Sequence, residues 1–180
     1  MKRFCFLIWI SLFATALLGQ EADSLRNKVL QSFAKNEFRE AIAYAEKALP
    51  IYTSRDDKLN MAGCYNTMAG AYMRLGQFEE ALRCYNMCSD IMDEIGGEMA
   101  AVNKRYVLNN IASIYLMMHE CDQADVMYES CIVLLGDPGN DTTANLDLAT
   151  YYRNLAEVRL VQADMSEPNS PDYKSKIGES

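Results

Sequence analysis

The chain has 180 residues, of which 17 are basic and 25 are acidic, and its formal net charge at pH 7 is −8. Because an acidic surface repels phosphate groups, neither nucleic acid nor an anionic lipid surface is an expected partner. The six cysteines and one histidine include no Cys-x-x-Cys pair, which argues against a zinc site, a thioredoxin-type site and a small disulfide-stapled domain.

The N-terminal segment has the layout of a secretory signal peptide. Lys2 and Arg3 precede an uncharged apolar run over residues 4–18, and small or polar residues end it. The run is shorter than the roughly 20 residues that span a bilayer as a helix, so an uncleaved anchor is the less favoured alternative. We predict a signal peptide at residues 1–20, with the cleavage position left open, and export to the periplasm or the medium. No later segment suggests an integral membrane span in the mature chain.

The rest of the chain is predicted to be helical, because apolar residues recur at helical spacing between Gly- and Pro-rich breaks. Seven helices are expected near residues 22–35, 38–53, 56–75, 78–95, 98–118, 121–135 and 142–163. The last one either caps the fold or forms the first half of an incomplete repeat. After it the composition becomes polar, and residues 164–180 are predicted to be a flexible tail.

Two blocks of the chain, residues 65–91 and 107–134, repeat one another in register. Each has a small residue, a Tyr three positions later, an Ala nine positions after that Tyr, then a second Tyr and a small residue. The matched sets are Ala69, Tyr72, Ala81, Tyr85 and Cys88 in one block and Ala112, Tyr115, Ala124, Tyr128 and Cys131 in the other. Residues 36–49 repeat the second half of the block, with alanines in the matching places. A repeat of this kind predicts stacked helix hairpins.

This pattern resembles the tetratricopeptide repeat over residues 22–163. The resemblance implies an all-α fold, an α-solenoid of about three and a half stacked antiparallel helix hairpins in one domain at residues 21–163. Successive equivalent alanines, Ala41, Ala81 and Ala124, are 40 and 43 positions apart. Because the usual spacing is about 34 residues, the chain resembles a long-repeat type of exported bacterial protein.

No catalytic residue, metal site or cofactor is predicted. Cys88 and Cys131 stand where the repeat has Ala, so we expect them to be small core residues. His119 stands at a turn where the repeat has Gly, so we expect it to be exposed and not paired with a cysteine. The acidic loop at residues 137–141 lacks the spacing of a calcium loop.

The resemblance also implies a binding surface, since the first helices of such repeats line a concave groove. The residues carried over to this peptide-binding groove are Arg26, Asn27, Asn66, Arg74, Asn109, Asn110, Ser113, Arg153 and Asn154. Asparagine amides can pair with the backbone of an extended peptide, and arginines favour a peptide that carries carboxylates. The alternative is that these asparagines serve packing or capping.

These observations predict a non-enzymatic, exported protein–protein interaction module that binds a peptide or protein segment. The alternative is a sensory periplasmic fragment of a repeat-containing bacterial signal-transduction regulator. The oligomeric state is left open, although an exposed Val161 would offer an apolar contact between two copies.

Overall fold

The computed structural model describes residues 19–166, with side chains as far as residue 164. Within that range the chain forms seven helices and no strand, which confirms the all-α fold class. They are α1 at residues 19–34, α2 (Phe38–Ser54), α3 (Lys58–Arg74), α4 (Phe78–Ile95), α5 (Gly97–Met117), α6 (Cys121–Leu135) and α7 (Thr142–Ser166).

The predicted ends of the chain lie largely outside the described residues. Residues 1–18 hold most of the predicted signal peptide, and residues 167–180 hold most of the predicted tail. One boundary is corrected, because residues 164–166 continue α7 and do not belong to the tail. None of the helices between residues 19 and 166 is long and apolar enough to cross a bilayer.

Four of the connections between helices end the preceding helix in the same way. Asn36, Asp56, Gly76 and His119 each have positive φ, at 62°, 51°, 72° and 59°. The N–H of the next residue donates to the carbonyl oxygen five residues back, as in Gln77 to Tyr72 at 2.9 Å. This is the Schellman arrangement, in which a left-handed residue satisfies carbonyl groups that the helix leaves unpaired. It allows each helix to turn back on its predecessor within three residues.

Tertiary contacts divide the chain into two units at Ile95–Gly96. In the first unit α3 packs against α4, and α2 packs against α3. Alanines at the repeat positions, including Ala41, Ala69 and Ala81, are completely buried. Small side chains at these points allow the helices to approach closely, as the repeat pattern predicted.

In the second unit α6 packs against both α5 and α7. Its core joins Ala112 of α5, Ala124 and Tyr128 of α6, and Leu155 and Val158 of α7. Helix α7 begins at an N-cap, since the Asp141 carboxylate accepts hydrogen bonds from the N–H groups of the second and third residues after it, at 2.8 and 3.1 Å.

On the outer side of the α6–α7 contact, the Arg159 guanidinium pairs with Asp125 and Glu129 at 3.3 and 3.2 Å. Val161 of α7 also packs against the core of the second unit. The expectation of an exposed Val161 was therefore wrong.

Candidate functional site

The first unit contains a cavity of about 280 Å³ between α1 and α3. Its walls combine polar and apolar side chains: Arg26, Val29 and Leu30 of α1, Tyr52 of α2, and Leu59, Asn60, Gly63, Cys64, Asn66 and Thr67 of α3. Leu30 and Leu59 remain 53% and 61% exposed, so apolar surface is left open at this site. Two of the predicted groove residues, Arg26 and Asn66, thus meet in one cavity.

The side chains of Arg26 and Asn66 have no partner among the residues that the structure describes. Between residues 19 and 166, no ion pair or hydrogen bond engages the guanidinium of Arg26 or the amide of Asn66. Both residues are exposed. A cation and an amide in this state can bind a ligand without first losing an intramolecular bond.

The charge of Arg26 acts on the groups around the cavity. Burial raises the pKa of the Cys64 thiol to about 11, while the nearby Arg26 guanidinium opposes that rise. Burial likewise raises the pKa of Tyr52, and Arg26 again acts in the opposite direction. The Arg26 guanidinium therefore acts on the groups inside the cavity more strongly than the Asp57 carboxylate, which acts on the same pKa values in the opposite direction.

The other polar groups of the cavity are used to build it. The Asn60 amide donates to the Asp57 carboxylate at 2.9 Å, and the same carboxylate accepts the Asn60 backbone N–H at the start of α3. The Thr67 hydroxyl donates to the Gly63 carbonyl at 2.9 Å. The Tyr52 hydroxyl donates to the Ala22 carbonyl at 3.2 Å, which ties α2 to α1.

The second unit brings together a different pair of predicted groove residues. The Asn154 amide of α7 donates to the Asn109 side-chain oxygen of α5 at 3.2 Å. The Ser113 hydroxyl donates to the Asn109 backbone carbonyl at 2.9 Å and lies 3.2 Å from the Tyr128 hydroxyl. Part of this predicted surface therefore serves packing between helices, which was the alternative reading of the asparagines.

The remaining predicted groove residues have more isolated positions. Asn27 and Arg74 are exposed and do not line the cavity of the first unit. Asn110 is half-buried, and the Arg153 guanidinium lies 3.5 Å from the Asn154 side-chain oxygen.

Sequence reasoning missed Leu59, Gly63 and Leu30 as parts of the site. Leu59 and Gly63 precede Asn66 by seven and three residues, so helical spacing from Asn66 places all three on one face of α3. The sequence alone could therefore have placed Leu59, Gly63 and Asn66 on one face of α3. It could not have shown that α1 lies against this face, because that contact depends on how the first two hairpins pack.

All five cysteines of the described chain are free and buried. Burial raises the pKa of Cys88 to about 11 and of Cys131 to about 12, so both are neutral thiols at physiological pH. Cys131 is completely buried and donates to the Arg105 carbonyl at 3.4 Å. The prediction that Cys88 and Cys131 are small core residues is confirmed, and His119 is exposed as expected.

Antiparallel helix hairpins with small residues in register define a helical-repeat protein. Residues 60–134 match the family model for the tetratricopeptide repeat. Among curated proteins, the chain is 30% identical over 128 residues to the STIP1 homolog of Dictyostelium discoideum, an alignment that covers 71% of this chain and 20% of that protein. The chain thus spans about a fifth of the length of that relative.

Solved structures of the same class have similar folds. The TPR domain of Arabidopsis FLU superposes with a TM-score of 0.59 at 19% identity, covering 66% of this chain and 97% of that domain. The Sgt2 TPR domain from Aspergillus fumigatus gives 0.51 at 22% identity, covering 77% of this chain and 82% of that one. The folds are therefore similar, and residues 60–134 match the tetratricopeptide repeat, which generally mediates protein–protein interactions.

Proposed function

We propose that this protein is exported and binds an extended segment of another protein through the cavity of its first unit. The observation that carries the proposal is the cavity of about 280 Å³ in which Arg26 and Asn66 stand beside the apolar side chains of Leu30 and Leu59. The expectation of export rests on the N-terminal sequence alone, and the long-repeat type on the spacing of the repeats.

The chemistry of the cavity defines the kind of segment that would fit. An apolar side chain would cover Leu30 and Leu59, which are both more than half exposed. A carboxylate of the same segment would pair with the Arg26 guanidinium, and the Asn66 amide would bond to the segment's backbone. The preferred ligand is therefore an extended peptide with an acidic and a large apolar residue close together.

Helix α3 forms an ordered wall of the cavity in the absence of a ligand. Asp57 caps its N-terminus, and the helix is held between α2 and α4, so the cavity walls are ordered before a ligand arrives. A site that is ordered in advance loses less conformational entropy on binding.

The test is selection of peptides from a random library displayed on phage, followed by affinity measurement with the selected peptides. Gly63→Leu would block the cavity, because a Cβ built at Gly63 meets no atom within 4 Å and the added side chain extends into open space. We expect this variant and Arg26→Ala each to weaken binding at least tenfold. Asn27→Ala is the matched control, since Asn27 is the exposed neighbour of Arg26 that does not line the cavity. If Gly63→Leu and Arg26→Ala bound the selected peptides as tightly as Asn27→Ala does, the proposed site would be contradicted.

Export is tested separately by expressing the full chain in a bacterial host and determining the N-terminus of the product. A mature N-terminus close to residue 20 in the envelope fraction is the expected result. A product that starts at Met1 and stays in the cytoplasm would contradict export and would leave the binding site unaffected.

A further inference from the structure

Helix α7 has one packed face and one open face. Tyr151, Leu155 and Val158 are 3%, 5% and 0% exposed and lie on the side of α6. The opposite side is also apolar, yet it is covered by no other part of residues 19–166. Its members are Ala149, Tyr152, Ala156, Leu160 and Ala163, all exposed, with Tyr152 at 55% and Leu160 at 71%. We call these five residues the outer face of α7.

The repeat register shows why this exposure is unusual. Ala69 in the first unit and Ala112 in the second occupy the small-residue position of a first helix, and both are completely buried. Ala156 occupies the same position in α7 and is exposed. A small residue at this position allows a second helix to approach closely. The outer face of α7 therefore has the features of a helix-packing surface.

The order of residues on this face is the same in both directions. Small and large side chains alternate from Ala149 to Ala163 at spacings of three, four, four and three residues, with Ala156 at the centre. If a second copy of α7 packs antiparallel with Ala156 on a twofold axis, Tyr152 lies opposite Leu160 and Ala149 opposite Ala163. A self-complementary surface is what an isologous dimer requires.

Charge at the edge of the face fits the same arrangement. Arg153 and Glu157 are both exposed and, four residues apart, lie along the same edge of α7. In an antiparallel pair about Ala156, that edge of one helix faces the same edge of the other. Arg153 of one copy then lies close to Glu157 of the second copy, and the pair occurs twice by symmetry.

We propose that the outer face of α7 binds a second copy of this chain, forming a dimer through antiparallel α7 helices. A single helix pair is smaller than the standard interface of about 1,600 Å². We therefore expect a weak dimer, with a dissociation constant on the order of tens of micromolar. The dimer uses only α7 and is independent of the cavity in the first unit.

Sedimentation velocity at protein concentrations from about 1 to 200 µM tests for the dimer. The full chain is expressed with residues 1–20 in place, and the product is purified in whatever processed form the host produces. A shift from monomer to dimer is expected for the native sequence. Ala156→Glu should weaken association at least tenfold, because two carboxylates would meet at the twofold axis. Val133→Glu is the matched control, since Val133 is a 79% exposed apolar residue of α6 outside the outer face, and it should leave association unchanged.

Charge reversal tests the antiparallel geometry. Arg153→Glu should weaken the dimer several-fold, and Arg153→Glu combined with Glu157→Arg should restore it, because the two edge pairs are then re-formed with opposite polarity. Circular dichroism should show unchanged helix content in each variant, since both side chains are exposed.

Three results would overturn the proposal. One is a native chain that stays monomeric at about 200 µM. Another is equal association by Ala156→Glu and the native sequence. The third is dimerisation of a variant truncated after Ser166 when the full chain stays monomeric. That result would mean that the C-terminal segment of the same chain covers the outer face.

Discussion

Replacing His119 with Gly should stabilise the protein, because this residue holds a backbone conformation that glycine adopts more easily. His119 has φ of 59° at the end of α5, where the corresponding residue after α3 is Gly76 with φ of 72°. A left-handed conformation costs an ordinary L-residue roughly 1–2 kcal/mol. Glycine avoids that cost but has more freedom to lose from the unfolded state, so we expect a net gain of about 1 kcal/mol in the free energy of unfolding.

The reverse substitution isolates the backbone effect. A Cβ built at Gly76 meets no atom within 4 Å, so Gly76→Ala should lower the free energy of unfolding by about 1 kcal/mol through its conformation alone. Urea unfolding followed by circular dichroism at neutral pH measures both changes. For a chain of this size, a change of 1 kcal/mol corresponds to roughly 2–4 °C in the melting temperature. If His119→Gly left stability unchanged or lowered it, a favourable contact of the imidazole would have to outweigh the backbone strain, and the reasoning would fail.

Three further predictions concern the second unit. Tyr128→Phe should lower the free energy of unfolding by about 1 kcal/mol, because its hydroxyl lies 3.2 Å from that of Ser113. Tyr151→Phe should lower it less, since that buried hydroxyl lies near the Arg105 guanidinium but has no partner at full hydrogen-bond geometry among the described residues. Equal losses in urea unfolding would refute the distinction. Asp141→Ala should lower the free energy of unfolding, measured in urea, by about 1 kcal/mol because it removes the N-cap of α7. Asp141→Asn keeps an oxygen acceptor and should retain most of the native stability. Burial raises the pKa of the Cys131 thiol from 9.0 to about 12. Its neutral thiol therefore contributes fully to stability below pH 9, and this contribution is lost as the pH rises towards 12. The free energy of unfolding should fall by up to about 1.4 kcal/mol per pH unit in that range. Cys131→Ala should therefore flatten the fall in stability measured between pH 9 and 11, and an unchanged slope would contradict the assignment.

The repeat register was a reliable guide to the core. Positions that match the small residues of the repeat, such as Ala81, Ala124 and Cys131, are completely buried. The reason is local, because a helix hairpin with short connections has few ways to pair its two apolar faces. The break positions were equally informative, since Gly76 and His119 both occur where the chain has to adopt positive φ.

The binding surface was harder to predict, because it depends on packing between hairpins. The resemblance predicted Arg26 and Asn66 as groove residues, but the exposed Leu30 and Leu59 beside them in the cavity were missed. Whether such residues form a wall or an open edge depends on the distance between α1 and α3. That distance results from the packing of many side chains and is not encoded in the spacing of any one helix.

The nine predicted groove residues differ in what a ligand would have to displace. Ser113 is hydrogen-bonded within the second unit, and Asn109 and Asn154 are bonded to each other, so a peptide would have to compete with existing contacts there. Arg26 and Asn66 form no such contact with the described residues and exchange only water for a ligand. Since an intramolecular hydrogen bond contributes about 1 kcal/mol on average, each bond that has to break lowers affinity several-fold. This difference supports our proposal that a peptide binds in the cavity of the first unit.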